Sequence, residues 1–356
     1  MANTLVGIDI AYDSLKAIGL NKIGSRYWLV GMNSAPIPPG SWTTSELNNR
    51  EEIAKVLRET FAAAKPKAIT PKRVMIALPE SVIFSGTFSV PTLTPKELKQ
   101  ALPFEIAERL SINLDEYHID YEITSSSCKP LAEVEHKISN PESEARPPVK
   151  KDPKSKTDAD QPTADSAVEE PHTAIFAIAA KKTLIDSIIE LGQLAKVEIG
   201  GIDIKPGAVA RAVASAKDKT MRLIIDLGAS TTVVLVAEGQ SPHLTSSVPI
   251  GVKAMNEQPE TALERFKAEA GPIFDELVHV TKFYENRICP GGTIKEVILS
   301  GGGSNIAGIS ELFAEQTGLP TKLANPLALV ETHHYPISDS LARTFSDAIG
   351  LAMRNV

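Results

Sequence analysis

The sequence predicts an α/β protein built as two lobes, with a small α+β subdomain inserted into the first lobe. Apolar segments of strand length alternate with segments of helical periodicity along the chain. A strand that carries Asp at its end, followed by a turn and a second strand, occurs at 4–20 and again at 222–240. The chain has 356 residues, more than one hydrophobic core usually organises, which agrees with at least two folding units.

The first lobe is predicted for residues 1–82. Asn21 and Gly24 mark a turn between strands, and apolar residues recur at helical spacing before a buried strand, RVMIALP. The order of a strand hairpin, a helix and a strand is typical of an α/β lobe. The predicted strands and helix are 4–10, 15–20, 27–37, 48–65 (the helix) and 73–79.

Residues 83–204 are predicted to form the inserted subdomain. Its first strand ends at Pro91, and Thr94-Pro-Lys-Glu97 is a capping box with Pro at the first helical position. The apolar residues of the helix that follows are predicted to belong to the core rather than to a partner groove: Leu98, Leu102, Phe104 and Ile106.

Residues 125–171 are rich in Ser, Pro, Lys, Asp and Glu and lack aromatic residues. Such a segment buries too little apolar surface to offset the entropy of ordering, so we predict a disordered insertion within the subdomain. A tether between two independent domains is the alternative. The insertion is favoured because the segment at 173–180 looks like the strand that pairs with 118–123.

The chain is predicted to return to the first lobe at 205–218 and to form the second lobe over 219–340. A C-terminal amphipathic helix at 341–356 is assigned to the first lobe. The second lobe contains a strand, glycine turn and strand, a helical segment interrupted at Gly271-Pro272, and a strand, glycine loop and helix: 222–240, 261–287 and 296–318.

Composition excludes several classes of function. The net charge is -7 and no Lys/Arg stripe occurs, so a nucleic-acid partner is not expected. No apolar run approaches the roughly 18 residues of a membrane span, and the first residues do not resemble a secretory signal. Cys128 and Cys289 lie in different contexts, which argues against a disulfide framework or a metal site. We therefore expect a cytoplasmic protein that reaches a membrane through a partner.

Three segments carry residue types that suit nucleotide binding. Asp9 and Asp226 each end a strand of a hairpin, so their carboxylates can face each other and hold Mg²⁺, usually through water. Lys16 either supplies a cation for the outer phosphates or is a solvated lysine at a strand edge. The glycines of Ser300–Asn305 allow close approach of the backbone. The candidate nucleotide-binding residues are Asp9, Ala11, Tyr12, Ser14, Lys16, Asp226, Gly228, Ala229, Ser230, Thr231, Thr232, Gly301, Gly302, Gly303 and Asn305.

Each of these segments also has a plainer interpretation. A strand ending in Ile-Asp is often a core strand with a solvated Asp, triple glycine is often a tight turn, and Asn305 suits a helix N-cap. The order of all three segments favours the binding site. His333 and His334 are predicted to be loop residues, because adjacent His side chains diverge and no Cys or carboxylate framework surrounds them.

GIDIAYDSLKA, IIDLGASTT and ILSGGGSNIAG resemble the phosphate-1, phosphate-2 and adenosine motifs of the superfamily that contains actin, sugar kinases and heat-shock chaperones. Within it, MIALPESVIFSGTFSVPTLTPKELKQALPFEIAERL, VEIGGIDIKPGAVARAV and ARTFSDAIGLAMR are similar to segments of the PilM family of type IV pilus assembly. The resemblance covers nearly all of the chain except 125–171. It implies an actin-like ATPase fold with two ribonuclease H-like lobes and, as ligands, ATP and Mg²⁺.

Three positions depart from the superfamily pattern. Ala11 stands where Gly is usual, and Tyr12 where a small hydroxyl residue is usual. Lys205 stands where hydrolysing relatives such as MreB have a Glu that positions the attacking water. Because a lysine cannot accept a proton from water at neutral pH unless its pKa is strongly lowered, we expect ATP binding with slow or no hydrolysis.

The PilM resemblance implies a cytoplasmic ATP-binding scaffold of a type IV pilus, MSHA-like or related. Such a scaffold docks the N-terminal cytoplasmic tail of a PilN-like inner-membrane protein and links it to the pilus assembly motor ATPase. In this family the tail enters a cleft, which here would lie between the 73–79 strand region and the subdomain segments 83–123 and 173–204. The resemblance also allows for oligomers.

Two other functions are weighed against this one. A cell-division protein like FtsA usually needs a C-terminal amphipathic anchor, but the helix at 341–354 carries little positive charge. A sugar or acetate kinase needs an Asp base in a substrate cleft, and no spare motif suggests one.

Overall fold

The computed structural model of the protein describes residues 4–91, 94–124, 172–253 and 259–354. The predicted disordered insertion at 125–171, which includes Cys128, lies outside these ranges. Cys289 is buried. The expectation about the cysteines also concerns Cys128 and therefore lies outside the described residues.

The strands follow the apolar segments that the sequence marks. In chain order they are β1 (Thr4–Ile10), β2 (Ser14–Ile23), β3 (Arg26–Pro36), β4 (Lys65–Pro66), β5 (Arg73–Leu78), β6 (Ile83–Pro91), β7 (Tyr117–Ile123), β8 (His172–Lys181), β9 (Glu198–Ile204), β10 (Met221–Leu227), β11 (Thr232–Glu238), β12 (Ser241–Val248), β13 (Glu296–Ser300), β14 (Thr321–Leu323) and β15 (Val330–Glu331).

The helices coincide with the segments of helical periodicity. They are α1 (Arg50–Ala62), α2 (Pro95–Arg109), α3 (Lys182–Ala195), α4 (Lys205–Val213), α5 (Ala262–Glu269), α6 (Gly271–Phe283), α7 (Ile309–Thr317), α8 (Asp339–Thr344) and α9 (Ser346–Ala352). The predicted break at Gly271-Pro272 is confirmed, because α5 ends and α6 begins there. No helix within the described ranges has the length and apolar content to cross a membrane.

The two lobes share one strand order. In the described part of the first lobe the sheet runs β15-β3-β2-β1-β5-β9, with β4 also paired to β3, and in the second it runs β12-β11-β10-β13-β14. In both, an antiparallel meander lies beside a parallel strand: β1 pairs with β5 as β10 pairs with β13. This repeat confirms the two-lobed, ribonuclease H-like fold, and it places the carboxyl ends of β1 and β10 at equivalent edges.

The inserted subdomain is a three-stranded antiparallel sheet, β6-β8-β7, covered by α2. The predicted pairing of the strands on either side of the insertion is confirmed, since Ile123 lies opposite Ile175. The capping box of Thr94 and Glu97 is also present. Leu98, Leu102 and Ile106 are buried, as predicted.

Phe104 was predicted to lie in the core, but it is 67% exposed. Leu98, Leu102 and Ile106 follow a four-residue spacing and share one face of α2. A residue two positions after Leu102 points roughly 200° away from it around a helix, toward the opposite side. The position of Phe104 in the helical period therefore explains its exposure.

Helices α8 and α9 return the chain to the first lobe, where β15 already pairs with β3. Helix α9 packs on β1 and on α4 so closely that its backbone at Gly350 contacts the backbone of α4 at Ala208. A methyl group added to Gly350 would lie 1.8 Å from the carbonyl oxygen of Ala208. This packing brings the first turn of α9 to the edge of the sheet where β1 ends.

Candidate functional site

A cavity of about 210 Å³ lies between the two lobes, at the carboxyl ends of β1 and β10. The turns after both strands and the loop after β13 form its walls, with the first residue of α4 at its base. The predicted residues that line it are Asp9, Ala11, Tyr12, Ser14, Lys16, Asp226, Gly228, Ala229, Ser230, Thr231, Gly301 and Gly302. The fold thus brings together most of the candidates from three distant segments.

The two hairpin turns that face the cavity have the same hydrogen-bond pattern. The amide of Ala11 donates to the carbonyl oxygen of Ser14 at 2.8 Å, and the amide of Gly228 donates to that of Thr231 at 3.0 Å. Each donor follows its aspartate by two positions. Ala11 is not among the described non-glycine residues with positive φ, so alanine fits this turn without backbone strain, although Gly is usual there.

Tyr12 stands in the first turn, where a small hydroxyl residue is usual. Its hydroxyl is hydrogen-bonded to that of Ser81, in the short segment after β5. Its ring is partly buried against the core of the first lobe. The tyrosine therefore lines the cavity wall and ties the turn to the neighbouring strand.

Three predicted residues do not line the cavity. The hydroxyl of Thr232 donates to the carbonyl oxygen of Ile250 at 2.8 Å, and Gly303 is buried against Leu227 and Val252. The Asn305 amide oxygen accepts hydrogen bonds from the Arg343 guanidinium at 2.8 and 3.0 Å. These residues hold the surrounding loops in place.

The glycine loop approaches the second aspartate with its backbone. Gly301 has a φ of 76°, in the region that favours glycine, and a methyl group there would lie 2.6 Å from Oδ1 of Asp226. Ser300, just before it, donates from its hydroxyl to that of Ser346 at 2.7 Å. The loop therefore needs glycine at 301. The hydrogen bond between Ser300 and Ser346 joins the start of this loop, in the second lobe, to α9, which packs on the first lobe.

Asp9 lies between two ammonium groups. Lys16 is directly opposite Asp9 in the β1–β2 register, and its Nζ donates to Oδ2 of Asp9 at 3.0 Å. Nζ of Lys205, the first residue of α4, lies 2.6 Å from the other oxygen, Oδ1. The equivalent position to Lys16 in the second hairpin is Val233, so the two lobes contribute unequal charge to the cleft.

These ion pairs set the ionisation of both partners. Burial alone would raise the pKa of Asp9, but the positive charges of Lys205 and Lys16 outweigh it and hold the pKa well below its usual range. Burial would lower the pKa of Lys205, but the charges of Asp9 and Asp347 raise it above its usual value. Lys205 is therefore an ammonium group at neutral pH, with no lone pair to accept a proton.

Asp347, on α9, is a functional candidate that the sequence interpretation missed. It is buried, lines the cavity, and has a pKa raised well above the usual value by burial and by the nearby charges of Asp226 and Asp9. Burial, together with Asp9, also raises the pKa of Asp226 to about 6. A lone acidic residue among the apolar residues of the C-terminal helix was the available signal.

Glu80 is a second missed residue, at the junction of both lobes and the subdomain. It is buried, and its Oε1 accepts hydrogen bonds from the hydroxyls of Ser85, at 2.9 Å, and Thr245. Burial raises its pKa. Ser85 and Thr245 belong to β6 and β12, so this carboxyl group ties the subdomain to the second lobe beside the cavity.

The cavity suits an anion better than Mg²⁺. Mg²⁺ requires near-octahedral oxygen ligands at about 2.0–2.1 Å, usually including waters. Both oxygens of Asp9 already contact ammonium groups, and the described residues contain no group of three His, Cys, Asp or Glu side chains arranged to hold a metal ion. Ammonium groups, hydroxyls and turn amides are the donors that phosphate oxygens accept from.

Comparison with known proteins agrees with this architecture. The sequence matches the family model of the type IV pilus assembly protein PilM over residues 7–144 and 260–356. The structure is similar to a chain of the PilM-PilN type IV pilus biogenesis complex, with a TM-score of 0.73, 20% identity, and 98% of this chain and 97% of that chain covered. It also resembles the ethanolamine utilization protein EutJ from Carboxydothermus hydrogenoformans, with a TM-score of 0.51, 11% identity, and 99% and 90% covered. The fold is the predicted actin-like one, and the chain belongs to the PilM family of type IV pilus assembly proteins.

Proposed function

We propose that this protein is an ATP-binding scaffold of type IV pilus assembly. In this role it docks the N-terminal cytoplasmic tail of a PilN-like inner-membrane protein and links it to the pilus assembly motor ATPase. It would act at the cytoplasmic side of the inner membrane, held there by its partners. Membership of the PilM family supports the pilus role.

The nucleotide part of the proposal rests on one observation: two equivalent turns face each other across a cavity that contains two lysine ammonium groups. Triphosphate oxygens would accept charge-assisted hydrogen bonds from Lys16 and Lys205. Hydroxyls of Ser14, Ser230 and Thr231 surround the same space. The glycine loop presents its backbone to the same cavity at Gly301 and Gly302.

Hydrolysis is expected to be slow or absent, because Lys205 stands where a general base would be needed and is protonated. Steady-state turnover should stay well below about 1 s⁻¹, the lower end of ordinary enzymes. Lys205→Glu should raise any basal rate if the cleft is otherwise intact. Phosphate release measured on both proteins tests this, and wild-type turnover at or above about 1 s⁻¹ would overturn it.

A second cavity, of about 460 Å³, is our candidate for the docking groove. The subdomain contributes β7 and β8 to its walls, and the first lobe contributes β9 and α4. Strand β5, which was expected to form one wall, is not part of the lining. The lining residues are Asp120, Tyr121, Glu122, Phe176, Ile178, Ile202, Asp203, Ile204, Gly207, Arg211, Pro242 and Arg354.

Two features of this groove suit an extended peptide. Among the described strands, β7 is at the edge of its sheet, and its residues 120–122 line the groove, so a peptide can add main-chain hydrogen bonds there. Tyr121, Phe176 and Ile178 supply apolar surface for alternate side chains. Asp203 pairs with Arg211, and at 2.8 Å with Arg354, which fixes the polar wall.

Tyr121→Ala should weaken binding of the PilN-like tail by at least about tenfold, because an aromatic residue that a bound peptide covers commonly carries much of the binding energy. Phe104→Ala is the matched control. It removes an exposed aromatic residue of the same subdomain that does not line the groove. Fluorescence anisotropy with a labelled tail peptide measures both variants. Unchanged affinity in Tyr121→Ala, or equal loss in the two variants, would place the tail elsewhere.

A further inference from the structure

The ammonium group of Lys205 lies in the cavity between the lobes, beside the first of its two aspartates. It is 2.6 Å from Oδ1 of Asp9, and the charges of Asp347 and Asp226 act on it as well. Lys16 contacts the second oxygen of Asp9 at 3.0 Å. One carboxylate therefore contacts this lysine directly, and two further carboxyl groups, those of Asp226 and Asp347, line the same cavity.

Local structure does not account for this lysine. Lys205 is the first residue of α4, and the positive end of a helix dipole disfavours a cation at the N-terminus. Its side chain is also largely buried, with 13% exposed, which costs desolvation. The negative charge of Asp9, 2.6 Å from the ammonium group, offsets these costs, and Asp226 lines the same cavity.

We propose that the Lys205 ammonium group takes the place of the divalent cation, so that this protein binds a nucleoside triphosphate without metal. The inference rests on the proposed nucleotide site and specifies which positive group of that site offsets the negative charge of the phosphates and aspartates. A fixed ammonium group offsets the negative charges of Asp9, Asp226 and the phosphates. A divalent ion at the same point would be repelled by both lysines and would have to displace Lys205 from Asp9.

The direct test is calorimetry of ATP binding to the wild-type protein, once in excess EDTA and once in millimolar Mg²⁺. We expect the two dissociation constants to agree within about threefold. Lys205→Gln keeps a polar side chain with N–H donors, one atom shorter than lysine, but removes the charge. It should bind ATP at least about tenfold more weakly in EDTA than the wild type does, and should regain affinity with Mg²⁺.

Lys55→Gln is the control, because it makes the same change at an exposed lysine of α1. It should behave as the wild type in both buffers. A wild type that binds ATP only with Mg²⁺ would overturn the metal-free site while leaving the nucleotide site in place. Absence of ATP binding in both buffers would overturn the proposed nucleotide function and this inference together. The wild-type comparison decides the question even if Lys205→Gln fails to fold.

Discussion

Gly350→Ala is expected to destabilise the protein by at least about 3 kcal/mol, at the upper end of overpacking effects. Helix propensity alone predicts the opposite sign, since alanine is favoured over glycine in a helix interior by roughly 0.5–1 kcal/mol. The added methyl group would lie 1.8 Å from the carbonyl oxygen of Ala208 and 2.6 Å from its carbon. These are backbone atoms of α4, so no side-chain rotation can relieve the contact.

The Gly350→Ala substitution should also disturb the cavity between the lobes. Separating α9 from α4 moves Asp347 and Lys205, which lie near the starts of these helices. Calorimetric melting of Gly350→Ala and of Gly271→Ala tests the prediction. Gly271 begins α6, and a methyl group there meets nothing within 4 Å. Gly271→Ala should melt within a few degrees of the wild type, and a similar melting temperature for Gly350→Ala would contradict the packing described.

The sequence predicts the architecture well because local patterns and chain order determine most of it. The hairpins, the capping box of α2 and the break before α6 depend on residues that are close in sequence. The repeated strand, turn and strand after Asp9 and Asp226 indicates two similar lobes. Once both lobes are assumed, the convergence of the two turns follows from the equivalent edges of their sheets.

The charge arrangement of the cleft could not be predicted in the same way. Lys205 was recognised as a departure from the usual Glu, but its contact with Asp9 depends on β9 lying beside β5 and β5 beside β1. Asp347 reaches the cleft only through the packing of α9 on β1. Such contacts depend on tertiary packing between segments that are far apart in the chain.

Two candidates show the limit of motif matching. Thr232 and Asn305 fall within the recognised segments, but their side chains are engaged by Ile250 and Arg343 instead of lining the cavity. A motif identifies which loop faces a ligand, whereas side-chain direction depends on neighbours from other segments. Phe104 was misassigned for a simpler reason, because its place in the helical period was not applied.

Lys16→Met is expected to weaken ATP binding by about 10- to 100-fold, since a hydrogen bond to a charged group contributes roughly 1.5–3 kcal/mol. Lys16 lines the cavity and is held opposite Asp9 by the register of β1 and β2. The substitution keeps the aliphatic side chain. Asp9 retains its ion pair with Lys205, so the variant should still fold.

Lys22→Met is the matched control. Lys22 lies on the same strand, β2, but near its far end, where its ammonium group is 5.7 Å from the centre of the Tyr27 ring. The same chemical change there removes the same charge from the protein without altering the cavity. A general loss of positive charge would weaken ATP binding in both variants, whereas a specific site in the cleft would affect only Lys16→Met.

Calorimetric titration of ATP into the wild type, Lys16→Met and Lys22→Met tests most directly whether the nucleotide binds between the lobes. Thermal melting of the same samples checks that each variant is folded. We predict that the wild type and Lys22→Met bind ATP with the same affinity, and that Lys16→Met binds at least tenfold more weakly. Equal affinity of all three folded proteins, or no ATP binding by the wild type, would contradict a nucleotide site in the interlobe cavity.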